Sequence, residues 1–176
     1  IAMAISNDPK LLIADEPTTA LDVTVQAQVM EVIRRVQEAT GTAVMLVTHD
    51  LGLVAGTADR IQVMYGGRLF ESGATDTVFY ASRNPYTLGL MASIPSAVGR
   101  TAHRLEPIPG SPPSAIDLPE GCVFGPRCAF ATEVCRTEPA LQVIDAATGH
   151  ATRCHRAGEL PALIAARATA SEGGDA

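Results

Sequence analysis

The chain has 176 residues, 47% of them apolar and 18% charged, and its 13 Lys and Arg against 19 Asp and Glu give a formal charge of −6. That balance excludes a protein that grips nucleic acid through a basic face, and the apolar content excludes wholesale disorder, since a chain this long buries about two-thirds of its unfolded surface. No run reaches the roughly 18 uninterrupted apolar residues of a membrane span, and the chain opens at Ile1 inside an apolar stretch to Ser6 that reads as helix rather than secretion signal.

Leu11-Leu12-Ile13-Ala14 is a short aliphatic run ending at Asp15, the pattern of a strand buried on both faces of a parallel sheet. From Val23 the residues Val25, Val29, Val32, Ile33 and Val36 recur at helical spacing, with Asp22 placed as N-cap and Gly41 just past the end. Ala43 to Val47 repeats the buried-strand pattern, so strand, helix and strand predict a right-handed parallel crossover. Leu51 to Ala58 suits a short helix, and Ile61 to Met64 pairs through Gly66-Gly67 with Leu69-Phe70 as a hairpin. Beyond it, Ser93 to Glu120 holds six of the twelve prolines and reads as an extended linker. All four cysteines follow, and Ala168 to Ala176 is small and polar enough to fray.

Ligands of such sheets sit at the carboxyl ends of the strands. There the sequence places Asp15 and Glu16 after one strand and Thr48-His49-Asp50 after the other. Two carboxylates suit a hard cation, although an Asp-Glu pair alone is also an ordinary charged turn. The arrival of His49 at the same edge makes an acid, acid and imidazole set.

The string Leu11-Leu12-Ile13-Ala14-Asp15-Glu16-Pro17-Thr18-Thr19-Ala20-Leu21-Asp22 resembles the Walker B segment and D-loop of ABC transporter ATPases. Val47-Thr48-His49-Asp50-Leu51 resembles their switch-histidine loop, and Ala58-Asp59-Arg60-Ile61 with Met64-Tyr65-Gly66-Gly67-Arg68 their next strand and hairpin. Asn84-Pro85-Tyr86-Thr87-Leu88, Ile108-Pro109-Gly110 and Gly121-Cys122 through Pro126-Arg127-Cys128 resemble the C-terminal extension of oligopeptide and dipeptide importer ATPases. Gly125 departs from that pattern, which favours a larger polar residue there; Arg127 matches it.

The resemblance implies ATP and Mg²⁺ as cofactors. It makes Asp15 the Mg²⁺ ligand, Glu16 the catalytic base that orients water, His49 a contact to the γ-phosphate and that water, and Asp22 both helix cap and a contact to the opposite nucleotide site. It implies a second ABC ATPase subunit and two transmembrane permease subunits as partners, a solute-binding protein indirectly, and a peripheral place on the cytoplasmic face of the membrane. A phosphate loop Gly-x-x-x-x-Gly-Lys-Ser/Thr, a glutamine loop and a signature segment do not occur in these residues. The expectation is an N-terminal truncation that alone neither retains nor hydrolyses ATP.

Cys122, Cys128, Cys135 and Cys154 are spaced Cys-x5-Cys-x6-Cys-x18-Cys. Zinc usually brings close Cys pairs, absent here, although His150 and His155 flank Cys154 and could serve as ligands. Disulfides conflict with the cytoplasmic setting that the Walker B resemblance implies. The spacing fits neither common ferredoxin pattern; the resemblance implies a [4Fe-4S] cluster on all four, with zinc as runner-up.

The expected architecture is therefore α/β: a parallel-sheet P-loop NTPase half-domain over 1–92, a Pro-rich linker over 93–120, a metal-stapled cysteine module over 121–157, and a tail over 158–176. Rival readings are an importer ATPase for another substrate such as nickel, and a non-enzymatic metal-binding scaffold. A nucleic-acid-handling ABC protein is disfavoured by the acidic charge.

Overall fold

Aliphatic runs without helical period pair here as a parallel ladder: β1 (Leu11–Asp15) lies against β2 (Ala43–Val47), with Leu11 opposite Ala43 and Asp15 opposite Val47. The structure is a computed structural model that describes residues 1–93, 108–114 and 116–172. Contacts divide the chain into two units, 1–51 and 52–176.

In the first unit α1 (Ala2–Ile5) precedes β1, and α2 (Val23–Thr40) joins β1 to β2. Asp22 starts α2, its Oδ1 accepting the N–H groups of Thr24 and Val25 at 3.0 Å each, and Gly41 ends it, donating to Gln37 O. Such a cap contributes about 1 kcal/mol. Leu12, Met30 and Ile33 are the buried hydrophobic residues of this unit. The expectation that both strands are buried on both faces is corrected: Leu11, Ile13, Met45 and Val47 are 41–60% exposed. Successive side chains of a strand point to opposite faces, and α1 buries no residue, so α2 is the one helix of this unit with a buried stripe.

The second unit is built on an antiparallel sheet. After α3 (Leu51–Ala55), which stops short of the expected Ala58, come β3 (Arg60–Tyr65) and β4 (Arg68–Ala74). Gly66 and Gly67 turn between them at φ +55° and +73°, the left-handed pair that a two-residue hairpin turn requires. β4 runs four residues past the expected Phe70, and each of the four pairs with β3, from Glu71 opposite Val63 to Ala74 opposite Arg60. Among the described residues the strand order is β3-β4-β6-β5, with β5 (Gln142–Asp145) and β6 (His150–Thr152) both antiparallel to their neighbours. The segment between Cys135 and Cys154 thus shares one sheet with the hairpin.

Around this sheet lie α4 (Thr75–Tyr80), α5 (Pro85–Ala92) and α6 (Leu160–Glu172). Helix α6 continues into the stretch expected to fray; residues 173–176 lie outside the described residues, as do 94–107 and 115 of the expected linker. The core is aromatic: Tyr65 meets Phe70 and Phe124 edge-on at 5.6 and 5.4 Å, with Tyr86 at 4.5 Å from Tyr65. Ile61, Val63 and Val78 form a second cluster. Arg127 holds the chain at 108–110 against this core: its guanidinium donates to Ile108 O, Pro109 O, Gly110 O and Tyr65 Oη at 2.7–3.3 Å. No helix among the described residues is long and apolar enough to cross a membrane.

Two buried polar side chains lock the sheet. Asn84 caps α5, accepting from Tyr86 N–H at 3.0 Å, while its amide donates to Phe70 O, Thr152 Oγ1 and Arg153 O. Glu71, fully buried, accepts from Ser82 Oγ at 2.7 Å, Arg83 N–H at 2.6 Å and His150 Nε2 at 2.9 Å. Asn84→Ala removes a cap and orphans buried carbonyls, and is expected to destabilise the unit by about 2–4 kcal/mol, measured by urea unfolding monitored by tyrosine fluorescence.

Candidate functional site

β1 and β2 end side by side, and their ends carry the predicted polar residues. Glu16 N–H donates to Val47 O at 2.8 Å, continuing the ladder one residue past Asp15 and setting Glu16 beside the second strand's exit. Glu16 itself sits at φ +44°. From there its carboxylate meets His49, whose Nδ1 lies 3.1 Å from Oε1. A carboxylate oxygen can only accept, so Nδ1 carries the proton of this contact. Both side chains are open to solvent, His49 at 79% and Glu16 at 47% exposure.

Of the four residues given nucleotide-site roles by the resemblance, the structure therefore joins two, Glu16 and His49. Asp15 stands exposed at the last position of β1, and Asp22 is occupied as the α2 cap. Two neighbours were not singled out from sequence. Thr19 Oγ1 donates to Glu16 Oε2 at 2.7 Å, and Gln26 Nε2 donates to Asp50 Oδ2 at 3.1 Å. The first has a legible signal, a hydroxyl three residues after a carboxylate in a turn; the second joins positions 24 apart and has none. The Thr19 hydroxyl, followed by His49, holds the Glu16 carboxyl below its ordinary range.

In the second unit the four cysteines, all free thiols, line one cavity together with Phe70, Phe124 and His155. Cys122 and Cys135 are tied through the backbone, Cys122 N–H donating to Cys135 O at 2.9 Å. Phe130 N–H approaches Cys128 Sγ at 3.4 Å, and backbone N–H groups of Phe124 and Arg156 point to Cys122 and Cys154. Burial pushes the thiols of Cys122 and Cys128 up and that of Cys154 to about 11. Cys154 feels the charge of each of the other three.

Of the two histidines considered as metal ligands, His150 is corrected: it is buried and spends Nε2 on Glu71. His155 reaches the cavity, but its Nε2 lies 3.1 Å from Thr137 O and so donates there. Among the described residues no three His, Cys, Asp or Glu side chains are grouped so as to hold one metal ion.

A profile of the family described as the C-terminal region of oligopeptide/dipeptide transporters matches residues 70–135. The oligopeptide transport ATP-binding protein of Haemophilus influenzae is 53% identical over 141 residues, covering 80% of this chain and 43% of that protein. The dipeptide transport ATP-binding protein of Escherichia coli is 48% identical over 156 residues, 88% of this chain and 47% of its own length. The oligopeptide transport ATP-binding protein of Mycobacterium tuberculosis is 51% identical over 157 residues, 89% of this chain and 25% of its own. The chain belongs to the family of peptide-transport ATP-binding proteins. It spans less than half the length of these relatives.

The family match contains residues 70–74 of the hairpin's second strand, Asn84, Arg127 and three of the four cysteines. Gly121 is the tightest point. It sits at φ +75°, and a Cβ there would stand 2.5 Å from Arg136 O and 2.6 Å from Cys135 O. Gly121→Ala combines a left-handed backbone with a backbone clash and should destabilise this unit by more than about 2 kcal/mol, measured by thermal unfolding; the same variant should separate Cys122 from Cys135, read as faster alkylation of both thiols in the metal-free protein.

Proposed function

We propose that this chain forms part of the ATP-hydrolysing subunit of an importer for di- and oligopeptides. The observation that carries the proposal is the Glu16–His49 pair at the carboxyl edge of the parallel ladder, in a chain about half identical to proteins named for peptide transport. Glu16 is the general base: its carboxylate accepts a proton from water as that water attacks the γ-phosphate. His49 holds Glu16 through Nδ1–H, so its Nε2 donates to a phosphate oxygen only when the ring carries both protons. Asp15, an exposed carboxylate beside Glu16, offers the hard oxygen donor that Mg²⁺ takes, the ion supplying charge compensation for the phosphates. Asp22, besides capping α2, faces the opposite nucleotide site of a second ATPase subunit. The working assembly includes two permease subunits, receives its peptide from a solute-binding protein, and lies on the cytoplasmic side of the membrane.

Cys122, Cys128, Cys135 and Cys154 hold a [4Fe-4S] cluster in this reading, with zinc as the alternative occupant. Four thiols on one cavity, three of them accepting backbone N–H groups, suit a group that needs four thiolates, and burial pushes the thiols of Cys122, Cys128 and Cys154 up, so that a cation must displace their protons. The centre would supply a cross-link for a segment with few core residues of its own.

Two measurements test the proposal. In the complete transporter, Glu16→Gln is expected to cut ATP turnover by about 10² or more while ATP binding persists, because only the proton acceptor is lost; retained turnover rejects the assignment. In protein purified without oxygen, about four irons per chain are expected, falling in Cys128→Ser with nucleotide chemistry largely kept. Unchanged iron in that variant removes Cys128 from the ligand set, and zinc in place of iron selects the alternative.

A further inference from the structure

We infer that Thr19 is a positioning residue for Glu16, its hydroxyl fixing the carboxylate in the orientation needed for hydrolysis; the inference rests on the ATPase reading above. A glutamate at an open strand end has several rotamers within reach, and aligning a water against a phosphate requires one of them. Two contacts remove that freedom in this structure. Thr19 Oγ1 donates to Oε2 at 2.7 Å, and His49 Nδ1 donates to Oε1 at 3.1 Å. Each oxygen has its own donor, so the plane of the carboxylate is set by two points.

The two donors differ in origin. His49 comes from the far strand, 33 positions away, whereas Thr19 belongs to the turn that Glu16 itself begins. That turn is closed twice between the same two residues, by Thr19 N–H to Glu16 O at 3.1 Å and by the hydroxyl contact. Its backbone is unusual: Glu16 at φ +44° and Ala20 at φ +61° both lie in the left-handed region that L side chains rarely adopt. The left-handed backbone at Glu16 accompanies a side chain that folds back over the turn to meet residue 19. Any displacement of the turn that leads into α2 therefore moves the donor on Oε2, and with it the base.

Thr19 is exposed, so replacing it opens no cavity and the variants report on orientation rather than on folding. In the complete ATP-binding subunit assembled with its permease partners, steady-state ATPase kinetics of Thr19→Val, Thr19→Ala and Thr19→Ser separate the roles. Val keeps the shape and lacks the hydroxyl; Ser keeps the hydroxyl. The expected result is a fall in kcat of about tenfold for Val and Ala with KM for ATP changed by less than about twofold, and recovery to within about twofold in Ser. Wild-type kcat in Thr19→Val overturns the inference, as does a Ser variant no better than Val. Should the unaltered subunit itself fail to hydrolyse ATP, the ATPase reading falls and takes the inference with it.

Discussion

A carboxylate removed from water organises the second unit. Glu71 lies on β4 with no exposed surface, and stripping an ion of its hydration costs several kcal/mol unless donors replace the water. Three do so, from two distant parts of the chain: Ser82 and Arg83 between α4 and α5, and His150 on β6. Because each donor must arrive at one place, the pairing of β6 with β4 is fixed in register. A slip of one residue would turn His150 to the other face of the sheet and leave Glu71 short of a donor. Asn84 repeats the logic beside it, satisfying carbonyls of Phe70 and Arg153 and capping α5 with the same side chain. The apolar core of Tyr65, Phe70 and Phe124 packs around strands whose order these polar contacts specify.

In the first unit the ordering force is different. At the carboxyl ends of the strands Asp15, Glu16 and His49 are open to solvent, and the arrangement there depends on backbone geometry. The ladder extends past Asp15 through Glu16 N–H, the chain then turns through left-handed conformations, and Asp22 restarts regular structure as a helix cap. Each left-handed non-glycine residue costs of order 1 kcal/mol or more, and at Glu16 that cost accompanies a carboxylate held by Thr19 and His49.

Much of this was legible in the sequence, for reasons that differ by element. The helix 23–40 announced itself by period, cap and terminating glycine, and both ladder strands by aliphatic runs; these signals are local, and the structure follows them. The two-face burial expected of the strands does not follow, because an aliphatic run states what a strand prefers and not which layer covers it. Local signals also stopped β4 at Phe70, because Glu71-Ser72-Gly73 breaks the apolar run, although the strand goes on pairing with β3 as far as Ala74. Glu71 and His150 carried no motif that distinguishes a buried pair from two surface residues, which is why His150 looked like a ligand candidate beside Cys154. The meeting of Glu16 with His49 was predicted by topology, because both lie just past parallel strands, whereas the Gln26–Asp50 contact depends on side-chain reach across 24 positions that no spacing rule encodes.

The position of β6 also bears on how the chain assembles during synthesis. Three of the cysteines lie within one short loop region that ribosomal synthesis delivers together, but Cys154 follows β6 and reaches the others only once that strand has found β4, roughly eighty residues back. Closing so long a loop is entropically slow to be rewarded, so a growing chain passes through a stage with three thiols assembled and the fourth still absent. The sheet, by holding back its last strand, sets the order in which the walls of that cavity come together.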